Sequence, residues 1–240
     1  MSRRRLTILS CLLCAGLFAQ KPTAGTVTSE VAVNGALGNL NLSLVQGARF
    51  RYFFSDNLAV RLGVGIDALS RRVEVYERPD GTGGTGEVRA NFFEFALLPG
   101  AELHFKGGER LSTFAGAYIL FGLATARTEQ ENVDPNLQYA SNFSVTVKGR
   151  ATFLEGNQEI EKNGGTSFGV GLYSGFDWYF TEKVFLGIEW GVLFRSRTAS
   201  EVETEITAAG TTTRLKEGPR GETSIARLIP SGGIRLGYQF

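Results

Sequence analysis

The chain has 240 residues, with 25 Lys and Arg against 24 Asp and Glu, enough for one domain or two small ones and without the basic excess that suits nucleic acid. Hydrophobic residues make up 42%, and beyond the N-terminus no run approaches the roughly 20 apolar residues of a membrane-spanning helix, so a helical membrane bundle is excluded. With 31 Gly and 18 Phe against one Met and one His, the composition is also the reverse of what helical cores favour.

Taken in order, residues 1–20 begin with Arg3-Arg4-Arg5, continue as an apolar stretch from Leu6 to Phe18 and reach the small Ala19 before Gln20. This reads as a secretory signal peptide cut near Ala19 or Gln20; the stretch is short for the alternative, a membrane anchor. Both cysteines, Cys11 and Cys14, fall inside it. Leu9-Ser10-Cys11 comes too early for a lipoprotein cut and Leu12-Leu13-Cys14 has the wrong neighbours. The mature chain is therefore expected to have no disulfide, thiolate metal site or cysteine nucleophile. Residues 21–29 form a short N-terminal segment before the barrel reading begins at residue 30.

From there the chain alternates with period two, the signature of strands with two unlike faces. Glu30 to Gly38 is a weak first strand. Leu44 to Phe54 sets Ala48, Phe50, Tyr52 and Phe54 against Gly47, Arg49 and Arg51. Leu58, Val60, Leu62, Val64 and Ile66 oppose Ala59, Arg61, Gly63, Gly65 and Asp67, with Arg71 further along. Phe93 to Phe105 sets its aromatic and aliphatic residues against Glu94, Gly100, Glu102 and His104, and Pro99 predicts an edge or bulge. Leu111 to Thr125 is apolar on both faces. Ser167 to Phe180 places Phe168, Val170, Leu172, Phe176 and Trp178 opposite Gly169, Gly171, Tyr173, Gly175 and Asp177. Val184 to Phe194 repeats the scheme around Glu189, with Arg195 following. Ser224 to Phe240 closes the chain, with Arg227 and Arg235 on the polar face, Pro230 as a candidate bulge, and Ile234, Leu236, Tyr238 and Phe240 on the apolar one.

Alternation over ten or more residues exceeds the usual globular strand of about five or six and matches the 9 to 11 residues of a tilted strand crossing a bilayer. Ser55-Asp56-Asn57, Lys106-Gly107-Gly108-Glu109 and Thr181-Glu182-Lys183 are tight turns, whereas the links at 77–87, 128–165 and 200–222 are long; the link at Asn39 to Asn41 is a short exception. Eight strands with both ends on the turn side give an all-β, eight-stranded antiparallel up-and-down transmembrane β-barrel over residues 30–240. Phe50, Tyr52, Phe54, Phe105, Trp178, Phe180, Tyr238 and Phe240 gather beside the turns and are expected to form an interface belt. Tyr52-Phe53-Phe54-Ser55-Asp56-Asn57-Leu58 and Tyr179-Phe180-Thr181-Glu182-Lys183-Val184 echo one another across it.

The segment Tyr52 to Gly65, Leu97-Leu98-Pro99-Gly100 followed by Phe105, Phe114-Ala115-Gly116-Ala117 and the terminal Tyr238-Gln239-Phe240 together resemble the small eight-stranded outer-membrane β-barrel family, of the OmpA/OmpX-like porin-family type. The resemblance implies a Gram-negative outer-membrane location, with lipid as the surrounding partner. It also implies that Leu236, Tyr238 and Phe240 serve as the signal read by the barrel-assembly machinery. The long loop at 128–165 departs from the pattern, and no appended peptidoglycan-binding domain points to a tethering role.

An eight-stranded barrel has room inside only for side chains. Arg49, Arg51, Arg61, Arg71, Arg195, Arg227 and Arg235 are expected there with Asp67, Glu94, Glu102, Asp177 and Glu189. A salt-bridged plug is one reading and a selective or gated pore another. Enzymes on such barrels need a histidine with serine or carboxylates at the outer rim, whereas His104 lies at the turn end. No catalytic residue, cofactor or metal site is expected. Phe143 to Val147 and Arg150 to Leu154 around Lys148-Gly149 read as a hairpin standing above the membrane, and Glu201 to Thr207 as an outward extension. The expected role is structural or surface-interacting, through loops with an unidentified partner. The alternative is a small channel or carrier for small or apolar solutes; a soluble lipocalin-like carrier would need the opposite facing of Arg61, Asp67, Glu189 and Arg195.

Overall fold

The computed structural model describes residues 21–34, 47–75, 85–105, 107–133, 142–155, 158–218 and 227–240. The proposed leader, most of the link from 35 to 47, Lys106 and the loop tip at 76–84 lie outside the described residues. Eight strands make the ring: β1 (Val27–Asn34), β2 (Ala48–Ser55), β3 (Leu58–Val75), β4 (Gly86–His104), β5 (Leu111–Glu131), β9 (Gly165–Tyr179), β10 (Val184–Ala199) and β13 (Arg227–Gln239). Each pairs antiparallel with its neighbour. β5 pairs with β9, and β13 pairs with both β10 and β1, so the ring of eight closes on itself.

Between β5 and β9 lie β6 (Phe143–Lys148), β7 (Arg150–Glu155) and β8 (Gln158–Asn163); between β10 and β13 lie β11 (Val202–Ala208) and β12 (Thr211–Glu217). β6 pairs with the loop end of β5 and with β11, and β11 pairs with β12, giving a side sheet that continues the barrel wall. The expected hairpin about Lys148-Gly149 does not form. Gly149 takes φ +86°, donates its N–H to the Ala126 carbonyl at 2.9 Å, and turns the chain away from the wall. β7 then pairs with β8 instead of β6. The expected outward strand at Glu201 to Thr207 is β11, a separate strand of the side sheet.

Period two sorts the side chains. On β10 the outward row Val184 to Phe194 is apolar, and Leu186, Ile188, Trp190 and Phe194 are all exposed. Eleven residues at about 3.3 Å each, tilted by roughly 40°, span close to 25 Å, the height of the apolar band of transmembrane barrels. The inward rows are packed by size complementarity. Tyr118 stands between Gly100 and Gly171, Tyr173 between Gly116 and Gly191, and Phe185 opposite Gly237. A methyl group on Gly171 or Gly237 would overlap the Tyr118 or Phe185 ring. These glycines are where the narrow interior finds volume for rings.

The two echoing turns share one device. Ser55 Oγ accepts from the backbone N–H groups of Asn57 and Leu58 at 3.4 and 3.1 Å, and Thr181 Oγ1 accepts from Lys183 and Val184 at 3.2 and 2.9 Å. A register shift between Phe53 and Ser55 marks a bulge beside the first of them. Neither proline produces the expected one. Pro230 pairs with Val192 in an unshifted ladder. Pro99 pairs with Leu62, and the β4–β5 ladder skips it while keeping one register from Leu97↔Phe121 to Gly100↔Tyr118. The missing N–H is absorbed locally.

Candidate functional site: the charged interior and the inward hairpin

At the turn end Arg49 and Arg51 of β2, Arg61 of β3 and Arg235 of β13 point into the ring, where they meet Glu30 of β1, Glu102 of β4, Asp177 of β9 and Glu189 of β10. All eight are at most 7% exposed. Among the described residues the group is four guanidiniums against four carboxylates, so it is formally neutral. Arg51 Nη1 donates to Asp177 Oδ2 at 2.8 Å and to Glu102 Oε2 at 3.2 Å, and its Nε donates to Thr28 Oγ1. Arg61 forks onto Glu189 through Nη1 at 2.8 Å and Nη2 at 3.3 Å, with Glu102 Oε1 also at 3.2 Å. Arg235 joins Asp177 Oδ1 at 2.6 Å to Glu30 at 3.1 Å, and Arg49 reaches Glu189 at 3.0 Å.

Arginine suits such a site because its planar fork binds two carboxylates at once and still stacks on rings. Arg61 lies 4.1 Å from the Tyr173 centroid, Arg235 4.7 Å from Phe114, and Arg51 5.0 Å from Phe185. Buried ions of this kind persist only when paired and hydrogen-bonded. His104 completes this end, with Nε2 3.2 Å from Glu102 Oε2 and Nδ1 2.8 Å from Ser112 Oγ. The trio resembles a catalytic arrangement in residue types, yet His104 and Ser112 are 4% and 2% exposed and His104 packs against Phe53 and Phe114.

Toward the loop end the interior changes character. Ala96, Leu98, Tyr118, Leu120 and Leu193 form an apolar layer. Above it Arg195 Nη2 meets Glu94 Oε1 at 2.5 Å and Ser167 Oγ at 2.8 Å. Next come Ala90 and Phe92 of β4 with Ala124 and Ala126 of β5, and onto them pack Ala151 and Phe153 of β7 with Ile160 of β8. The β7–β8 hairpin thus turns into the mouth of the ring. Lys162 anchors it, its Nζ 2.9 Å from Asp67 Oδ2 and 4.5 Å from the Phe92 centroid, and the Thr152 N–H donates to Thr128 Oγ1 at 3.0 Å.

Of the residues expected inside, Arg49, Arg51, Arg61, Glu102, Asp177, Glu189 and Arg235 come together, while Glu94 with Arg195 forms a second pair. Asp67 belongs to the hairpin contact. Arg71 is a correction: it has the inward parity but is exposed, because β3 there has risen past the packed interior. The Arg227 side chain lies outside the described residues. The sequence reading missed Glu30, whose strand seemed weak, and Lys162, which only tertiary packing brings to Asp67. Parity with Thr28 was the available signal for Glu30.

Beside the turns Tyr52 meets Phe54 edge-to-face with centroids 4.9 Å apart, Tyr238 meets Phe240 likewise at 5.1 Å, and Trp178 is tilted against Phe180 at 5.9 Å. Phe50 and Phe105 are exposed with them, and Phe180 is half-buried. Among the described residues no cluster of His, Cys, Asp and Glu is arranged to hold a metal ion, and no helix is long and apolar enough to cross a membrane.

No family model and no curated protein matches the sequence. Solved structures similar to the chain include the N-terminal β-barrel domain of Pseudomonas aeruginosa OprF (13% identity, TM-score 0.39, covering 91% of this chain and 100% of that one). The outer membrane protein OprG from Pseudomonas aeruginosa is similar at 13% identity and TM-score 0.40, covering 92% and 99%, and Acinetobacter baumannii CarO at 11% and 0.34, covering 90% and 98%. In architecture the chain is all-β, a closed barrel of eight antiparallel strands.

Proposed function

We propose that the protein is an integral outer-membrane barrel without catalytic activity, its lumen plugged by charged side chains, that serves as a rigid scaffold presenting its loop-end strands to the exterior. The observation that carries the reading is the inversion of faces: an apolar exterior row on every long strand around an interior of four arginines and four carboxylates. Such an exterior suits acyl chains, and a formally neutral, ion-paired interior suits a lumen filled by side chains. The inward hairpin adds a second obstruction at the mouth. Secretion through the inner membrane, the aromatic belt at Tyr52, Trp178 and Tyr238, and recognition of Leu236, Tyr238 and Phe240 by the assembly machinery belong to the same proposal. So does binding of any external partner through β6, β11 and β12.

Planar-bilayer recording of the folded monomer tests the plug. Silence or rare brief events are expected, and steady, large open currents would replace the scaffold reading with that of a channel for small solutes.

A further inference from the structure

Three adjacent strands carry the same outward order of chemistry as they leave the apolar band toward the loop end. β3 runs Ile66, Ala68, Ser70, Arg72, Glu74; β4, followed in the same direction, runs Phe95, Phe93, Asn91, Arg89, Glu87; β5 runs Leu123, Thr125, Arg127, Glu129, Glu131. On each strand apolar residues give way to an uncharged polar residue, then a cation, then a carboxylate. The cation is always nearer the apolar band. Surface salt bridges alone would be equally served by either order, whereas a layer of phosphate between acyl chains and water is served by this one.

The register sharpens the point. Arg127 stands directly opposite Lys148 of β6, and Arg72 directly opposite Arg89. Like charges in facing positions destabilise a sheet unless an anion lies between them. Carboxylates hold all four cations: Glu87 bridges Arg72, with Nη2 2.6 Å from its Oε2, and Arg89; Glu129 meets Arg127; and Glu203 Oε2 lies 3.9 Å from Lys148 Nζ. All four cationic side chains nevertheless remain about half exposed.

Below Arg127 and Lys148 lies a groove of about 580 Å³ on the outer wall, with Asn91 and Ser70 at its middle and Phe93 and Ala68 beneath. The Ser70 hydroxyl donates to Asn91 Oδ1 at 2.7 Å, so the amide N–H group is the donor that Asn91 has left to offer a ligand. A neighbouring groove of about 440 Å³, around Phe121 and Phe168, has hydroxyls but no charged side chain.

We propose that the Arg127–Lys148 groove binds a membrane lipid with a phosphomonoester headgroup, its phosphate held between the two cations and the Asn91 amide and its acyl chain lying along Phe93 and Ala68. Arg127 and Lys148 each already face a carboxylate, Glu129 and Glu203, and the doubly charged phosphomonoester competes with these for both cations better than a singly charged phosphodiester does. The site rests on the membrane reading given above.

The barrel is reconstituted in phosphatidylcholine nanodiscs containing equal minor amounts of phosphatidic acid and phosphatidylglycerol, and the retained lipid is identified by native mass spectrometry. Phosphatidic acid is expected to be retained over phosphatidylglycerol, with its retention falling ~10-fold in Arg127→Gln/Lys148→Gln. It should be unchanged in Arg214→Gln/Lys216→Gln, which removes the same charge from β12. Equal retention of the two lipids, or equal loss in both double variants, overturns the site. A barrel that fails to insert in phosphatidylcholine discs at all overturns the membrane reading and the site together, whereas one that inserts without lipid preference overturns the site alone.

Discussion

Arg235 shows what a single buried side chain does in this interior. It joins Asp177 to Glu30, so replacing it by leucine leaves these two buried carboxylates to share the guanidinium of Arg51 and unbalances the neutral group by one negative charge. Arg235→Leu is expected to destabilise the folded barrel by about 3–5 kcal/mol, measured by urea unfolding in detergent micelles. Arg195→Leu, whose site is partly open and holds one carboxylate, should cost about 1–3 kcal/mol. Equal losses would show that the interior is not the tight ion lattice described. Volume is tested at Gly171, which lies under the Tyr118 ring. Gly171→Val should cost about 1–3 kcal/mol by overpacking, and adding Tyr118→Ala should recover part of that loss, because the two residues occupy one space. Strict additivity in the double-mutant cycle would contradict the packing. Arginines and glycines at alternate positions were legible in the sequence as inward residues. Which carboxylate each arginine meets was not, since partners such as Arg49 and Glu189 are 140 residues apart.

Among the elements, the long strands were readable because their apolar and polar side chains alternate with period two. The segments beyond the apolar band were not. There β3 is exposed on both faces from Ala68 to Glu74, and Phe143 to Leu154 offers two similar β-prone runs whose pairing depends on the positive φ of Gly149 and on the alanines of β4 and β5 that receive Phe153. The last strand closes the ring: the Phe240 N–H donates to the Val27 carbonyl at 3.0 Å and the Gln239 N–H to Lys183 at 2.7 Å. Deleting Tyr238-Gln239-Phe240 is therefore expected to lower membrane-inserted protein strongly. Deleting Ala209-Gly210, the exposed turn between β11 and β12, should change it little. Quantifying heat-modifiable protein in membrane fractions compares them, and equal levels would count against an assembly role for the terminus.

At the scale of the whole molecule, the barrel wall is apolar outside and charged inside. The closed ring and its strand count followed from turns and alternation. The hairpin that fills the mouth did not, because its partners Phe92 and Asp67 lie on strands distant in sequence and already satisfied as ordinary wall residues. The chain contains two tryptophans, both outward and exposed: Trp178 beside the turns and Trp190 well inside the apolar row of β10. They are natural depth markers. In bilayers of brominated phosphatidylcholine, the single-tryptophan variant Trp178→Phe, which keeps Trp190, should be quenched most by bromines deep in the acyl chain. Trp190→Phe, which keeps Trp178, should be quenched most by bromines near the headgroup. That ordering is the result a lipid-facing exterior predicts, and fluorescence from both tryptophans indifferent to bromine at any depth would contradict it.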